Sequence, residues 1–261
     1  MKFNKFYKAF LLALLISTSS FAQLLERENV QRKIVTGTRP VAGNFGYVIG
    51  PSFVELGEMA DQDIDVRGFP LMGLKYYFTD NIEFRLSTQI YGKSQKIQGN
   101  LVDQLGEEDN IEKEMFYRFM PSAHYHFSST NFLDTYVGVG LIVGTEIDEV
   151  QTTNRTNLTG DFVAESYRQQ TTDLGFNLHF GIQAFVADLP LSIGAEASIR
   201  SLKRYNLQYE AATQTSVGGV VNEQNFFTRN ATSTANYEAL DYSEFEMGAD
   251  VRILLTYYFR K

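Results

Sequence analysis

The amino-acid sequence predicts an all-β fold, an eight-stranded antiparallel up-and-down β-barrel. Eight segments alternate apolar and polar residues with a period of two, and only a strand separates such residues into two faces. The connections between these segments are short and long in strict alternation along the chain. After residue 23 no apolar run approaches the length of a membrane-spanning helix, so any membrane insertion must use strands.

The first 22 residues are predicted to be an export signal. Three lysines precede an apolar run over residues 9–16, and a small-x-small cleavage site ends at Ala22. The apolar run is too short for a membrane anchor, which needs about 20 residues. We therefore expect cleavage after Ala22, then a polar periplasmic segment over residues 23–41 and the barrel domain over residues 42–261.

The charge balance and the cysteine content exclude several classes of protein. Removing the three lysines of the signal leaves 20 of 23 basic side chains against 31 acidic ones. Such an acidic chain, with no basic stripe, argues against nucleic acid as a partner. The chain has no cysteine, which excludes a disulfide scaffold, a thiolate metal site and a cysteine nucleophile.

The alternation is clearest at the C-terminus, over residues 244–259. The eight odd positions from Phe245 to Phe259 are all apolar, whereas four of the eight even positions are charged. The same pattern, less regular in three of the segments, predicts the other seven strands near residues 44–53, 69–78, 82–91, 114–127, 133–146, 174–186 and 191–200.

The connections give the topology and the strand pairing. The short turns lie over residues 79–81, 128–131 and 187–190, and long polar loops are predicted over residues 54–67, 94–111, 147–171 and 204–241. This rhythm is typical of an up-and-down membrane barrel with tight turns at one rim. Pairing across the three turns in order places Lys75 opposite Arg85, His126 opposite Asp134, and Gly181 opposite Glu196.

Alternation alone does not determine whether the polar face of the sheet points outward to water or inward to the lumen. A lipocalin-like barrel would place its apolar residues in the lumen, whereas a membrane barrel places them outside. Aromatic residues cluster where the strands meet the short turns, glycines alternate with long charged side chains on the polar face, and the apolar face carries almost no charge. These features favour a transmembrane barrel in a bacterial outer membrane, with short periplasmic turns and long extracellular loops.

With these features, residues 42–261 resemble the eight-stranded outer-membrane barrel families, the OmpA/OmpX-like group. The resemblance includes the terminal segment over residues 255–259, although Arg260 and Lys261 follow Phe259 where such barrels usually end on an aromatic residue. The end of the signal resembles those of exported Bacteroidota proteins. The resemblance implies a Gram-negative source, outer-membrane lipids and lipopolysaccharide as surroundings, and barrel-insertion machinery as a partner.

The polar face predicts a charge network in the lumen. Eight strands enclose a space just wide enough for side chains, and opposite charges held there should pair. We expect a lumen plugged by Lys75, Glu83, Arg85, Glu114, Arg118, His126, Asp134, Glu196, Arg200, Glu244, Glu246, Asp250 and Arg252. The alternative is a small channel or porin-like pore, with a gated ion path along the same residues.

Two motifs contain residue types that could support catalysis or bind a metal ion. His126-Phe127-Ser128 matches the H-x-S element of lipid A deacylases, which are eight-stranded barrels, and a lipid-modifying enzyme is the remote alternative. Strand parity directs His126 into the lumen, so we predict a hydrogen-bonded lumen histidine and no catalytic residue. The aspartates over residues 61–65 lack the glycine and glutamate of a helix-loop-helix calcium site, which leaves only a looser cation site open. No metal or cofactor is assigned.

The sequence therefore predicts an integral outer-membrane protein that is not an enzyme. Its role would be structural, or adhesive through the long outer loops. The loop over residues 204–241 is rich in Asn, Thr, Gly and Tyr, and it is the strongest candidate for contacting an extracellular ligand.

Overall fold

The structure is a computed structural model that describes residues 39–60, 71–100, 106–127, 132–156, 160–187, 189–233 and 235–259. The predicted signal, most of the periplasmic segment, the aspartates over 61–65, Ser128 and the last two residues lie outside the described residues. In the ranges described, no helix has both the length and the apolar character needed to cross a membrane.

The described residues form ten strands and one short helix. All eight predicted strands are confirmed, and two further strands lie within the last predicted loop. The elements are β1 (Phe45–Gly50), α1 (Phe53–Ala60), β2 (Leu71–Tyr77), β3 (Ile82–Asn100), β4 (Gly106–His126), β5 (Leu133–Thr156), β6 (Phe162–Phe185), β7 (Leu191–Tyr205), β8 (Tyr209–Val217), β9 (Val220–Thr228) and β10 (Glu244–Phe259).

Eight of the strands form a closed antiparallel ring. The order is β1-β2-β3-β4-β5-β6-β7-β10, and β10 pairs with β1. Following hydrogen-bonded partners once around the ring from Leu174 on β6 leads back to Ala184, ten residues further along that strand. With ordinary strand spacings, this stagger tilts the strands by about 40° and gives a backbone radius of about 8 Å. The interior therefore has room for side chains only.

The predicted pairing is confirmed across two short turns and wrong across the other. Lys75 lies opposite Arg85 and Gly181 lies opposite Glu196, as expected. Across the second turn, His126 lies opposite Tyr136 rather than Asp134. A shift of two residues keeps every side chain on its own face, so the apolar-polar alternation cannot distinguish the two registers.

The predicted loops over 94–111 and 147–171 are wrong for most of their length. Strands β3 to β6 continue through them, and the loop over 204–241 contains the β8–β9 hairpin, which pairs with β6. Beyond the ring, six strands pair side by side over eight residues each. We call this part of the structure the protruding sheet. It is formed by residues 93–100, 107–114, 148–155, 162–169, 209–216 and 221–228. Both faces of the sheet are largely polar, so the sequence carries no alternation there.

The helix α1 occupies part of the first predicted long loop. Ser52 caps it, since the Glu55 amide donates to Ser52 Oγ at 3.1 Å and the Ser52 amide donates back to the Glu55 carboxylate. The Arg252 guanidinium lies 3.9 Å from that carboxylate, which connects the start of the helix to β10. The remainder of this loop, over residues 61–67, lies outside the described residues.

Burial in the ring is the reverse of that in a water-soluble protein. Charged side chains point inward and are at most 3% exposed, as for Lys75, Glu83, Arg85, His126, Asp134 and Glu196. Large apolar side chains point outward and are 45–60% exposed, as for Leu74, Leu86, Phe119, Val139, Leu141, Phe176, Phe180, Ile193, Ile199 and Leu255. The expectation that the apolar faces point outward agrees with this arrangement.

Candidate functional site

The candidate site is the buried charge cluster inside the ring, near the short turns. Glu83 and Arg85 are two residues apart on β3 and therefore share its inward face. Lys75 reaches the cluster from β2 and Glu196 reaches it from β7, each at an inward position of its strand. The alternation that was visible in the sequence thus brings residues that are distant in the chain into one layer.

Two carboxylates hold the cluster together. Glu83 accepts a hydrogen bond from Arg85 Nε at 2.9 Å, and its other oxygen lies 3.5 Å from Lys75 Nζ. Glu196 Oε2 lies 2.7 Å from Arg85 Nη1 and accepts a hydrogen bond from the Tyr136 hydroxyl, also at 2.7 Å. Each buried charge therefore has an opposite charge beside it, which its removal from water requires.

Three buried histidines surround these carboxylates. His126 Nδ1 lies 2.6 Å from Asp134, and its Nε2 lies 3.3 Å from Glu83. His179 Nδ1 lies 3.0 Å from Glu196 Oε1. His124 Nδ1 is 3.6 Å from Glu83 Oε1, which is too long for a hydrogen bond. The prediction of a hydrogen-bonded lumen histidine at position 126 is consistent with these contacts, whereas Ser128 lies outside the described residues.

A second group of inward side chains closes the short-turn end of the ring. Gln183 donates to Asp134 at 3.1 Å and accepts a hydrogen bond from the Tyr258 hydroxyl at 3.2 Å. The rings of Tyr77 and Phe185 pack on Tyr258, each with its centroid 6.1 Å away. These side chains separate the charge cluster from the rim.

An apolar cluster faces the interior away from the short turns. It consists of Leu71, Met120, Ile142 and Leu202, and each of them is at most 9% exposed. A cavity of about 30 Å³ is lined by members of this cluster together with His179 and Glu196. That volume holds about two water molecules, so the described side chains fill the centre of the ring.

The remaining members of the predicted network lie nearer the protruding sheet. Arg118 pairs with Asp173 at 2.5 Å, and Arg252 pairs with Asp250 at 2.7 Å. Arg200 lies 3.5 Å from Glu246, but both side chains are more than one-third exposed. Glu114 is half-buried and Glu244 is exposed. The structure thus brings six of the thirteen predicted residues, namely Lys75, Glu83, Arg85, His126, Asp134 and Glu196, into the central cluster.

Several members of the site were not selected from the sequence. Tyr136, His124, His179 and Asp173 are all at most 8% exposed and lie at inward positions of predicted or extended strands. Strand parity already placed His124 and His179 on the polar face, and this was the signal that could have identified them. Tyr136 lies in the strand over 133–146, where the alternation is weak because glycines occupy inward positions, and its ring packs against Gly181 of β6.

Comparison of the chain with family models, curated proteins and solved structures gave no match. The geometry of the ring, its buried cluster and the protruding sheet therefore carry the functional argument.

Proposed function

We propose that this chain is an exported outer-membrane β-barrel of the OmpA/OmpX-like kind, closed in its lumen and structural or adhesive in role. The supporting observation is the inverted burial, with apolar side chains outside the ring and ion pairs inside it. A water-soluble protein rarely exposes an apolar patch larger than roughly a few hundred Å². A bilayer would cover the outward side chains of the ring, because the hydrocarbon core accepts apolar groups and excludes charge.

The positions of aromatic side chains support a membrane boundary near the short turns. Outward aromatic residues at that end are 49–62% exposed, among them Phe45, Phe78, Phe127, Phe132, Tyr257 and Phe259. Aromatic rings are enriched at the boundary between hydrocarbon and headgroups. We place the short turns in the periplasm and the protruding sheet outside the cell.

The protruding sheet supports the adhesive role. Its outermost strands in the described part of the chain are β3 and β9, and residues 93–100 and 221–225 of these strands are exposed. Edge strands present backbone amides and carbonyls that another chain can bind, although in β9 the backbone of Phe227 is already paired with Tyr237. The sheet therefore offers an extracellular ligand an exposed, ordered surface.

The packed interior favours a plugged barrel over a pore. Ion pairs, an apolar cluster and a cavity for about two water molecules occupy the ring. We therefore expect no stable open state in single-channel recordings from planar bilayers. A stable conductance lost in Arg252→Ala would instead favour the channel alternative.

The central test is the electrophoretic mobility of the detergent-folded protein before and after boiling. An intact barrel resists unfolding by the gel detergent and migrates differently from the boiled chain. We expect this shift, together with recovery of the protein in the outer-membrane fraction. Recovery of the mature chain as a dissolved periplasmic protein, without detergent, would contradict the proposal.

A further inference from the structure

We infer that the ring interior binds one divalent transition-metal ion such as Zn²⁺, with His124, His179 and Glu196 as its protein ligands. One ligand atom from each of these side chains lies within 4.8 Å of those of the other two. Two imidazole nitrogens and one carboxylate oxygen form a ligand set that Zn²⁺ accepts, with a fourth position left for water. This inference depends only on the interior of the ring and not on the membrane proposal.

The first supporting observation is the state of His124. This side chain is only 2% exposed, yet neither of its ring nitrogens has a hydrogen-bond partner among the described residues. Buried polar groups are almost always bonded, and an exception calls for an explanation such as a bound ion or water. His179 Nε2 is likewise without a hydrogen-bond partner in the described part of the chain.

The second observation is the orientation of the two imidazoles. His179 Nδ1 lies 3.0 Å from Glu196 Oε1, and His124 Nδ1 lies 3.6 Å from Glu83 Oε1. Metal-binding histidines usually present one ring nitrogen to a carboxylate and bind the ion through the other, which leaves His124 Nε2 for the ion. His179 Nδ1 and Glu196 Oε1 face each other, so both would bind the same ion in place of their hydrogen bond, and the two ring centroids are 5.1 Å apart.

His126 provides the contrast. Its Nδ1 lies 2.6 Å from Asp134 and its Nε2 lies 3.3 Å from Glu83, so both of its nitrogens face carboxylates. Its Nε2 also makes no hydrogen bond, but His126 belongs to no group of three candidate metal ligands among the described residues, although it is buried in the same cluster. This makes His126 a matched control for the two proposed ligands.

The backbone and the cavity provide space for the site. Gly138 lies against His124, and a Cβ atom at that position would come within 2.1 Å of the His124 ring. The cavity of about 30 Å³ adjoins His179 and Glu196 and can hold a water molecule as the fourth ligand. Tetrahedral bonds of 2.0–2.1 Å place ligand atoms about 3.4 Å apart, so binding would draw the three side chains inward.

The charge balance also accommodates a cation. The cluster holds three carboxylates, Glu83, Asp134 and Glu196, against two basic side chains, Lys75 and Arg85. Arg85 and the Tyr136 hydroxyl both bond to Glu196 Oε2, which leaves Oε1, the oxygen that faces His179, for the ion. Nitrogen ligands favour Zn²⁺ and its neighbours over Ca²⁺ and Mg²⁺, which prefer all-oxygen sites.

Zinc binding to the folded full-length mature protein in detergent tests the inference. After chelator treatment, equilibrium dialysis against Zn²⁺ should give about one ion per chain in the wild type and in His126→Gln. His124→Gln and His179→Gln should each bind at least about tenfold more weakly. Equal zinc affinity in all four proteins would overturn the inference. The mobility shift on boiling checks that each variant is folded.

A second measurement uses the wild type alone, so it does not depend on how the variants fold. The X-ray absorption spectrum of the zinc-loaded protein should show a four-coordinate nitrogen and oxygen shell with the multiple scattering of two imidazoles. A shell without imidazole scattering, or no retained zinc at all, would contradict the inference. Either result would leave the membrane proposal unaffected, because that proposal is tested by mobility and fractionation.

Discussion

Strands β3 to β6 run through two regions that share a backbone but differ in every other respect. In the ring part of β3, Arg85 is 3% exposed while the next residue, Leu86, is 47% exposed. From Gly92 to Asn100, on the same strand, every side chain is exposed. The apolar-polar alternation therefore reports a difference between the surroundings of the two faces. It does not report whether a segment is a strand.

The ion pairs differ between the two regions in the same way. Glu83 and Arg85 are at most 1% exposed in their side chains, whereas Lys113 and Glu149 of the protruding sheet are 38% and 18% exposed. A buried charge that loses its partner is strongly destabilising, while an exposed pair contributes little. The comparison implies that the ring tolerates few charge changes and the protruding sheet tolerates many.

The largest effect is expected for Arg85→Met. This change leaves Glu83 and Glu196 without their shared cation, and we expect the free energy of unfolding to fall by about 3–5 kcal/mol. Lys113→Met removes the cation of the exposed pair and should cost less than about 1 kcal/mol. Urea unfolding of the two variants in lipid vesicles measures both effects. Similar losses in the two variants would show that the ring interior is hydrated like the protruding sheet.

The next effect compares two positions on the same face of β3, one in the ring and one in the protruding sheet. Leu86→Arg places a cation where we propose the bilayer to be, at a cost of about 2–4 kcal/mol. Gln98→Arg changes the same face of β3 in the protruding sheet and should be nearly neutral. The fraction of protein that folds into vesicles, measured by the mobility shift on boiling, compares the variants. Equal insertion would contradict the proposed membrane level.

A smaller effect is expected for glycines of the two regions. Gly138→Ala drives a methyl group into the His124 ring and should cost about 1–3 kcal/mol, as overpacking does. At Gly99, in the protruding sheet, no atom lies within 4 Å of the added methyl group, so Gly99→Ala should leave the stability unchanged or slightly higher. Urea unfolding again measures both. A neutral Gly138→Ala would mean that His124 has another position available.

The sequence could predict the ring because its polar interior and its apolar outer face impose opposite requirements on adjacent residues. Leu86 is apolar and the adjacent Arg85 is charged, and this contrast recurs along each segment. Eight segments with this alternation predict the eight strands of the ring correctly. The protruding sheet could not be predicted, because both of its faces carry polar residues such as Gln98 and Thr153, and its strands are held together mainly by backbone hydrogen bonds. The absence of alternation there predicts a loop, whereas the structure has strands.

The limits at the candidate site have the same origin. Parity assigned the inward face, so Glu83, Arg85 and Glu196 could be selected as charged residues. Parity does not show how far a residue lies from the short turns along the axis of the ring. For that reason it groups Glu244, which lies near the protruding sheet, with residues of the central cluster. His124 and His179 carry no fixed charge, and only the packing around Gly138 and Glu196 reveals how close they lie.

The smallest effect concerns how the β8–β9 hairpin is held to the sheet. Tyr209 on β8 reaches across β6 and donates a hydrogen bond to Asp148 on β5 at 2.6 Å. Partial burial, and then this bond, raise the pKa of Tyr209 above its ordinary value. Tyr209→Phe should loosen the hairpin by about 1 kcal/mol, since the site is half-exposed, and leave the ring unaffected.

Hydrogen exchange resolved by residue measures this change. Amides of β8 should exchange faster in Tyr209→Phe, whereas Tyr91→Phe, on a strand that does not touch β8, should leave them unchanged.

The sign of the pH dependence follows from the raised pKa of Tyr209. The stabilisation is complete below the ordinary tyrosine pKa of about 10 and is lost as the pH rises through the raised value. A phenolate titration should therefore show one more late-titrating tyrosine in the wild type than in Tyr209→Phe. If the two proteins titrate alike, the hydroxyl of Tyr209 is free in solution, and the hairpin is held by backbone pairing with β6 alone.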